Sequence, residues 1–392
     1  MSNRRTFLKG AAIAAVPLML DFRRTATSLL SPVVYNADEI NFFFDGDRNY
    51  TDPEFYSKKL AELTKGAKDQ ADFYGQGGSV SALEQAFAGI TGKEKAIFVP
   101  SGTMANQLAL KILSGNNTKI FIQETSHIFR DEADAAQSVH GKRLIPLAKG
   151  LGNFTLEELK ESIDYHNQGE VFKSGIGVIS IENPVRRMDG QLFNFDEMKK
   201  ISAYCKEHGY KLHLDGARLH IASSYSGIPV KDYAACFDTV YISLYKYLGS
   251  AGGAILCGDA TVIDQIPHWI KVYGGNMFQN WPYALMALQN LKDIEKRLSD
   301  TRQKGEEFTA LINQSDEFQI SKITGGTNVC DLTIRGSIDF KKFNDLLREK
   351  GILMGRPAKG TIKTLINETI LKRDGLELLK TMKEAYNKAK TA

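Results

Sequence analysis

The chain has 392 residues, of which 43% are apolar and 24% are charged, and its formal net charge is +4 at pH 7. This balance is typical of a folded protein of two or three domains with a sizeable core, and it excludes a wholly disordered chain. Because the basic residues are scattered, nothing in the sequence indicates a nucleic-acid partner. The four cysteines show no CxxC spacing, so we expect neither a disulfide framework nor a metal site.

The chain opens with a paired arginine, Arg4 and Arg5, which precedes a short apolar run over residues 10–20. This order resembles a twin-arginine export signal. The apolar run is about half of the roughly 20 residues that a membrane span needs. A flexible basic leader or a short amphipathic anchor is the alternative. We therefore expect residues 1–36 to be a signal segment with its linker, read by twin-arginine export machinery, and the protein to be periplasmic.

From about residue 76 to residue 265, short β-rich runs alternate with helical patterns, which predicts a three-layer α/β domain. Several of the runs are nearly continuous in Val, Ile and Leu, as in a sheet that is covered on both faces. The predicted strands are residues 95–99, 119–123, 143–146, 177–181, 211–214, 239–243 and 253–257. The predicted helices are residues 81–89, 104–113, 155–166 and 196–208.

A long amphipathic helix is predicted from residue 285 to about residue 313, and it leads into a smaller α+β region. The Gly-rich, aromatic stretch 273–278 before it is typical of a connecting loop. The predicted elements of this region are strands near 328–334 and 361–366 and helices near 340–350 and 375–388. The predicted division is an N-terminal segment at 37–75, a large domain at 76–275 and a small C-terminal domain at 276–392.

Two predicted strands lead into residues that could carry chemistry. One ends at Asp215, three residues before Arg218, and ligands in open α/β sheets lie beyond the carboxyl ends of strands. A plain Asp-Gly turn is the alternative. The other strand runs into Lys246, which Tyr245 and Tyr247 flank. An amine in an apolar pocket has a lowered pKa and attacks carbonyl groups, although a surface lysine would give the same pattern.

A third candidate is the turn Ser101-Gly102-Thr103, where a predicted strand passes into a helix. Backbone N–H groups and the positive end of the helix dipole converge there, which suits a phosphate; plain N-capping is the alternative. Ser243 could offer a hydroxyl to the same phosphate. His127 follows another strand, where it could stack on a ring or move protons, although a lone loop histidine is more often solvated.

Together these parts match the needs of pyridoxal 5'-phosphate (PLP). The phosphate needs a helix N-terminus, the pyridine nitrogen needs a carboxylate, and the aldehyde needs a lysine. The motifs resemble those of the threonine aldolase and aromatic amino acid β-eliminating lyase group of fold-type-I PLP enzymes. They are Ser-Gly-Thr-Met-Ala-Asn at 101–106, Ser-His-Ile at 126–128, Glu-Asn-Pro at 182–184, Asp-Gly-Ala-Arg at 215–218 and Ser-x-x-Lys at 243–246.

The resemblance runs from about residue 39 to the C-terminus and is clearest from 72 to 258. It implies the aspartate aminotransferase fold, with a three-layer α/β large domain and a smaller C-terminal α+β domain. It also implies a homodimer or homotetramer in which Tyr74 and Gly75 reach the neighbouring subunit's site.

The resemblance implies a role for each matching position. Lys246 is expected to be the Schiff-base lysine, and Asp215 is expected to pair with the pyridine nitrogen. Arg218 is expected to contact the cofactor phenolate and the substrate carboxylate. His127 is expected to stack on the ring and to take the proton of a β-hydroxyl. The residues expected to bind the phosphate are Ser101, Gly102, Thr103 and Ser243.

The residues that would face the substrate depart from the family pattern. Phe44-Asp45-Gly46-Asp47 replaces Arg-Ser-Asp-Thr, so a substrate-contacting serine is lost, and 184–187 reads Pro-Val-Arg-Arg where Thr-His-Asn is usual. Lys363 replaces the usual carboxylate-binding arginine, and a lysine lacks the bidentate fork. We expect Lys363, Arg218 and Arg187 to bind the substrate carboxylate, with Arg186 or Arg356 as alternatives to Arg187.

The resemblance thus predicts a PLP-dependent aldehyde-lyase that cleaves a small β-hydroxy-α-amino acid to glycine and an aldehyde. The altered residues leave two alternatives open. One is PLP-dependent β-elimination or amino-group transfer on another amino acid. The other is an exported protein that keeps the fold without turnover.

Overall fold

The computed structural model describes residues 36–358 and 360–391, so the predicted signal segment lies, apart from Asn36, outside the described residues. The described strands in chain order are β1 (Ile40–Asn41), β2 (Lys95–Val99), β3 (Lys119–Gln123), β4 (Arg143–Leu147), β5 (Ile176–Glu182), β6 (Lys211–Asp215), β7 (Thr239–Ser243), β8 (Ala254–Gly258), β9 (Phe318–Lys322), β10 (Val329–Ile334), β11 (Ile352–Leu353), β12 (Pro357–Ala358) and β13 (Thr361–Leu365).

The described α-helices are α1 (Pro53–Thr64), α2 (Gly78–Thr91), α3 (Gly102–Ser114), α4 (His127–Arg130), α5 (Ala135–Ser138), α6 (Leu156–Asn167), α7 (Phe195–His208), α8 (Leu219–Ser226), α9 (Val230–Ala234), α10 (Ala260–Ile263), α11 (Ile266–Val272), α12 (Trp281–Leu291), α13 (Ile294–Ile312), α14 (Phe340–Glu349) and α15 (Gly375–Ala389). Short 3-10 turns cover Arg48–Thr51, Arg186–Met188 and Glu368–Lys372. Within the described part of the chain, none of the helices is both long enough and apolar enough to cross a membrane.

Seven of the described strands form the central sheet, in the order β2-β8-β7-β6-β5-β3-β4. Strands β3 to β7 pair in parallel, and β8 runs antiparallel to both of its neighbours. The carboxyl ends of every strand in this sheet except β8 therefore lie at one edge. The structure confirms all seven predicted strands of this sheet, with ends that differ by at most one residue.

Both faces of the central sheet are covered, which makes the three layers that the alternating pattern predicts. Every residue of β3, β5 and β7 is buried. Side chains of β3 alternate between two cores: Phe121 packs with α2, α6 and α7, whereas Ile120 and Ile122 pack with α3. The nearly continuous apolar runs follow from this double burial.

A second, smaller unit contains the antiparallel sheet β12-β13-β10-β9 and the parallel pair β1–β11. Its core joins Phe318 of β9 with the apolar faces of α14 and α15. Ile40 and Phe42, from the segment predicted to be separate, are buried in the same core. The start of the described chain therefore belongs to the C-terminal domain. The structure confirms the predicted strands near 328–334 and 361–366, whereas the sequence did not predict β9.

The predicted domain boundary and the single long helix at 285–313 require correction. Two helices, α12 and α13, replace that helix, and the apolar side chains Ala284, Ala287 and Leu291 of α12 are buried in the core of the large domain. Phe308 and Ile312, at the end of α13, are buried in the core of the small domain. The boundary therefore falls within α13 rather than at residue 276.

Candidate active site

The common edge of the central sheet brings most of the predicted residues together. Asp215 ends β6, Lys246 follows β7 and α3 begins after β2. A cavity of about 350 Å³ lies at this edge. The predicted site residues that line it are Ser101, Gly102, Thr103, His127, Asp215, Arg218 and Lys246.

Lys246 presents a half-buried amine to this cavity. Burial lowers the pKa of Lys246 to about 8, and the positive charge of Arg218 acts in the same direction. About one tenth of such an amine is neutral at pH 7, against well under one thousandth of an ordinary lysine. Lys246 therefore has the character of a nucleophile toward a carbonyl group.

Asp215 is held rigidly by hydrogen bonds to both of its oxygens. Ala217 N donates to Oδ1 at 3.2 Å, and Asn106 Nδ2 donates to Oδ2 at 3.1 Å. Burial lowers the pKa of His213 to about 4, so its ring is neutral. His213 Nε2 lies 3.0 Å from Asn106 Oδ1, which directs the Asn106 amide nitrogen toward Asp215. The carboxylate is thus fixed in orientation beside the cavity.

The first turn of α3 forms one end of the cavity. Ser101 caps the helix, because its hydroxyl accepts a hydrogen bond from Met104 N at 3.2 Å. An ideal Cβ on Gly102 would lie 2.0 Å from Tyr241 Oη, so this position has no room for a side chain. Unpaired N–H groups at a helix N-terminus bind anions. Ser243, by contrast, is buried and does not line this cavity.

His127 lines the same cavity and pairs with a buried acid that the sequence did not reveal. His127 Nδ1 is 3.1 Å from Glu132 Oε1. This hydrogen bond raises the pKa of His127, and burial opposes it. Asn106 and Gln107 donate to the two oxygens of Glu132. One donor atom each of His127, Glu132 and Asp215 lie within 4.8 Å of one another.

Arg218 forms a bidentate ion pair with Asp45. Nε lies 2.9 Å from Oδ1, and Nη2 lies 2.8 Å from Oδ2. Tyr247 also donates its hydroxyl to Asp45, at 3.3 Å. Burial raises the pKa of Asp45, but the guanidinium outweighs burial and holds the pKa below its ordinary value. Asp45, from the stretch that replaces the family's Arg-Ser-Asp-Thr motif, is therefore already paired with Arg218.

Two further cavities adjoin the first. One, of about 510 Å³, shares Tyr245 and Lys246 with it, and further aromatic side chains of its lining are Phe44, Tyr50 and Tyr56. The other, of about 270 Å³, shares Arg218 with it and is also lined by Lys363. Arg187 does not line any of the three cavities. Its assignment to the substrate carboxylate stays a prediction.

The sequence missed Glu132, Asn106, Asp45 and Tyr241 as members of the site. Each of them acts through a contact with a residue that is not its neighbour in the sequence. Asn106 carried one available signal, because it lies one helical turn after Gly102 on α3. Glu132, five residues after His127, carried none.

Residues 56–333 match the beta-eliminating lyase family. The low-specificity L-threonine aldolase of Candida albicans is 34% identical over 230 residues, which are 57% of this chain and 61% of that relative. The chain thus spans about three fifths of the length of this curated relative.

Solved structures show the same architecture. A protein of Exiguobacterium sp. 255-15, described as an aromatic amino acid beta-eliminating lyase/threonine aldolase, has a TM-score of 0.72 and 26% identity. The match covers 84% of this chain and 93% of that chain. A serine palmitoyltransferase with PLP has a TM-score of 0.65 at 15% identity over 99% of both chains, a likeness of fold alone.

Proposed function

Because the chain belongs to the beta-eliminating lyase family, we propose that it is a PLP-dependent aldehyde-lyase that cleaves a β-hydroxy-α-amino acid to glycine and an aldehyde. Its fold is the three-layer α/β fold of the fold-type-I PLP enzymes. One observation carries the proposal: the amine of Lys246 and the carboxylate of Asp215 line a single cavity that begins at the N-terminus of α3.

The residues present fit PLP. Gly102 lets Tyr241 pack against the first turn of α3, where a Cβ would lie 2.0 Å from Tyr241 Oη, and the N–H groups of this helix N-terminus suit a phosphate. Thr103 adds a hydroxyl, Asp215 supplies a carboxylate for the ring nitrogen, and Lys246 supplies an amine for the aldehyde. When bound, PLP supplies an electron sink for the charge that is left on Cα when a bond to it breaks.

His127 is placed to accept the proton of the substrate's β-hydroxyl. Because Glu132 is an acceptor at 3.1 Å from Nδ1, the proton of a neutral His127 ring resides on Nδ1, and Nε2 is free to take another proton. The carboxylate also stabilises the imidazolium that results. Loss of the hydroxyl proton lets the Cα–Cβ bond break with release of the aldehyde, and the proton on Nε2 is available for return.

The chamber of about 510 Å³ next to Lys246 has room for the substituent on Cβ. Its acidic members are already partnered: Glu368 with Arg297, Asp47 with Lys372, and Asp52 with Phe55 N. An apolar or aromatic substituent therefore meets aromatic walls rather than an unpaired charge.

Product analysis of the PLP-loaded protein tests the proposal. Threonine and phenylserine should give glycine together with acetaldehyde or benzaldehyde. Ammonia with a keto acid would instead support β-elimination, and a keto acid with a new amino acid would support amino-group transfer. PLP binding without exchange of any amino acid's α-proton would support a protein that keeps the fold without turnover.

The protein further acts as a homodimer or homotetramer. An exposed aromatic cluster of Phe73, Tyr74 and Phe278 supports this assignment, because exposed apolar patches often mark interfaces between subunits. The rings of Phe73 and Tyr74 pack edge-on against the ring of Phe278, and Tyr74 N donates to Phe278 O. Equilibrium sedimentation should give a multiple of the chain mass, and Tyr74→Ser should shift it toward the monomer. A monomeric wild type would contradict this assignment.

The protein is exported by the twin-arginine route. Arg4 and Arg5 before the short apolar run support this part of the proposal. Cell fractionation should find the wild type in the periplasm and the Arg4→Lys/Arg5→Lys variant in the cytoplasm. An equal distribution of both proteins would contradict it.

A further inference from the structure

The cavity of about 270 Å³ beside the cofactor cavity is bordered by three cationic side chains, Arg186, Arg218 and Lys363. Arg218 lines both cavities, so the two spaces meet at its guanidinium. An amino acid whose Cα lies near Lys246 can place its carboxylate here. Which cation receives that carboxylate depends on what each one already binds.

Lys363 lies between two aspartates. Its Nζ is 2.7 Å from Asp189 Oδ2 and 2.9 Å from Asp331 Oδ1. Asp331 faces Lys363 directly across strands β10 and β13. Burial lowers the pKa of Lys363, but the two aspartates outweigh burial and raise it. One ammonium with two carboxylates has a net charge of −1, which repels an incoming anion.

Arg218 is neutralised by Asp45, which occupies both Nε and Nη2 of its fork. This bidentate pair has no net charge. Arg218 can still offer its Nη1 group and the second N–H of Nη2 to a ligand, but the pair with Asp45 leaves no net positive charge to attract an anion.

Arg186 is differently placed, because it shares Asp131 with Arg187. Arg187 takes both oxygens of Asp131 through its own fork, from Nε at 2.8 Å and from Nη2. Arg186 contributes Nη1 alone, at 3.1 Å. Two guanidiniums with one carboxylate have a net charge of +1, and the Nε and Nη2 groups of Arg186 have no partner among the described residues.

The backbone also fixes the position of Arg186 at the cavity. Its N–H donates to Oε1 of the buried Glu182 at 2.9 Å, and Glu182 also accepts from His127 N at 2.6 Å. The backbone of Arg186 is therefore tied to the carboxylate that positions the candidate base. Arg356, the other alternative from the sequence, is exposed and lines none of the three cavities.

We propose that Arg186, and not Lys363, binds the α-carboxylate of the substrate; this inference rests on the proposed function. In this assignment the guanidinium of Arg186 takes the role that was predicted for Lys363. The site should therefore select amino acids with a free carboxylate over their amides.

Equilibrium binding of glycine and of glycinamide to the PLP-loaded protein, followed by visible absorption, tests the inference. The wild type should bind glycine more tightly than glycinamide. Arg186→Gln should raise the Kd for glycine about ten- to hundredfold and leave that for glycinamide nearly unchanged, because only the charge-assisted hydrogen bonds to the carboxylate are lost. A merely structural role of Arg186 would weaken both ligands alike.

Arg348→Gln is the control, since Arg348 is an exposed arginine on α14 that lines none of the three cavities. It should keep the preference for glycine, and Lys363→Met should lose less of that preference than Arg186→Gln does. The inference is overturned if the wild type does not prefer glycine, if Arg348→Gln loses the preference as Arg186→Gln does, or if Lys363→Met loses more of it than Arg186→Gln does. Glycine selection by Arg186 without aldehyde release from any substrate would instead refute the proposed lyase function.

Discussion

The Nδ1 atom of His127 lies 3.1 Å from Oε1 of Glu132, a buried acid that Asn106 and Gln107 hold in place. This contact fixes the tautomer of the imidazole and raises the pKa of His127 against the effect of burial. The base and the acid that orients it are both supplied by the short stretch after β3. Glu132 is therefore a positioning residue, and its effect on the pKa of His127 should be visible in a pH–rate profile.

Glu132→Gln should lower kcat by about tenfold or more, and it should move the acid limb of the pH–rate profile to lower pH. The active form of a base is deprotonated, and loss of the Glu132 carboxylate lowers the pKa of His127. Asp134→Asn, two residues further on at an exposed position with φ of 53°, is the control and should leave the profile unchanged. A drop in kcat with an unmoved acid limb would count against this role for Glu132.

The rate at which the apo protein captures PLP should rise about tenfold per pH unit and level off near pH 8. The neutral amine is the reactive form, and burial together with Arg218 lowers the pKa of Lys246 to about 8. Stopped-flow absorbance between pH 6 and pH 10 measures this rate. A rise that continues to pH 10 would show an ordinary lysine.

Gly102→Ala should weaken PLP binding about five- to hundredfold. The added Cβ would lie 2.0 Å from Tyr241 Oη, so either the helix start or the tyrosine ring must move. Gly89→Ala, within α2, is the control: its Cβ would meet nothing within 4 Å, and alanine is the better helix former. That variant should be slightly more stable and bind PLP as the wild type does. Equal affinities of the two variants would remove the steric argument.

The free energy of unfolding of the apo protein should contain a component from Glu84 that falls as the pH rises. Burial raises the pKa of Glu84 from 4.5 to about 7, although Oε1 accepts a hydrogen bond from Phe98 N. The folded state therefore favours the protonated acid. Its contribution is complete below pH 4.5 and is lost as the pH passes 7, by about 3 kcal/mol at most.

Urea unfolding at pH 5 and pH 8 measures that component. Glu84→Gln should reduce the difference in unfolding free energy between the two pH values, because glutamine does not titrate but still accepts from Phe98 N. Glu161→Gln, at an exposed position on α6, should retain the wild-type difference. An unchanged difference in Glu84→Gln would contradict the raised pKa.

The central sheet and the cofactor-facing residues could be predicted because their signals are local. Double burial forces continuous apolar runs on strands such as β5, and the ends of β6 and β7 place Asp215 and Lys246 at one edge. Ser101 and Gly102 indicated the turn at the start of α3. In each case a few neighbouring residues contain the whole pattern.

The remainder depends on contacts between distant residues. Asp45 and Arg218 are 173 positions apart, and nothing near either residue indicates their pairing. The resemblance implied that Lys363 replaces an arginine, but it did not indicate that Asp189 and Asp331 neutralise Lys363. The division of 285–313 into two helices likewise depends on which core each half packs into. Charge and burial at these positions are set by the tertiary structure.

The central claim is that Lys246 binds PLP through its amine, beside Asp215. Borohydride reduction of the PLP-loaded protein, followed by proteolysis and mass spectrometry, tests it most directly. The account predicts a single pyridoxyl adduct, on the peptide that contains Lys246, and loss of both the adduct and the visible absorption band in Lys246→Ala. An adduct on a different lysine, or an unchanged visible band in Lys246→Ala, would contradict the account.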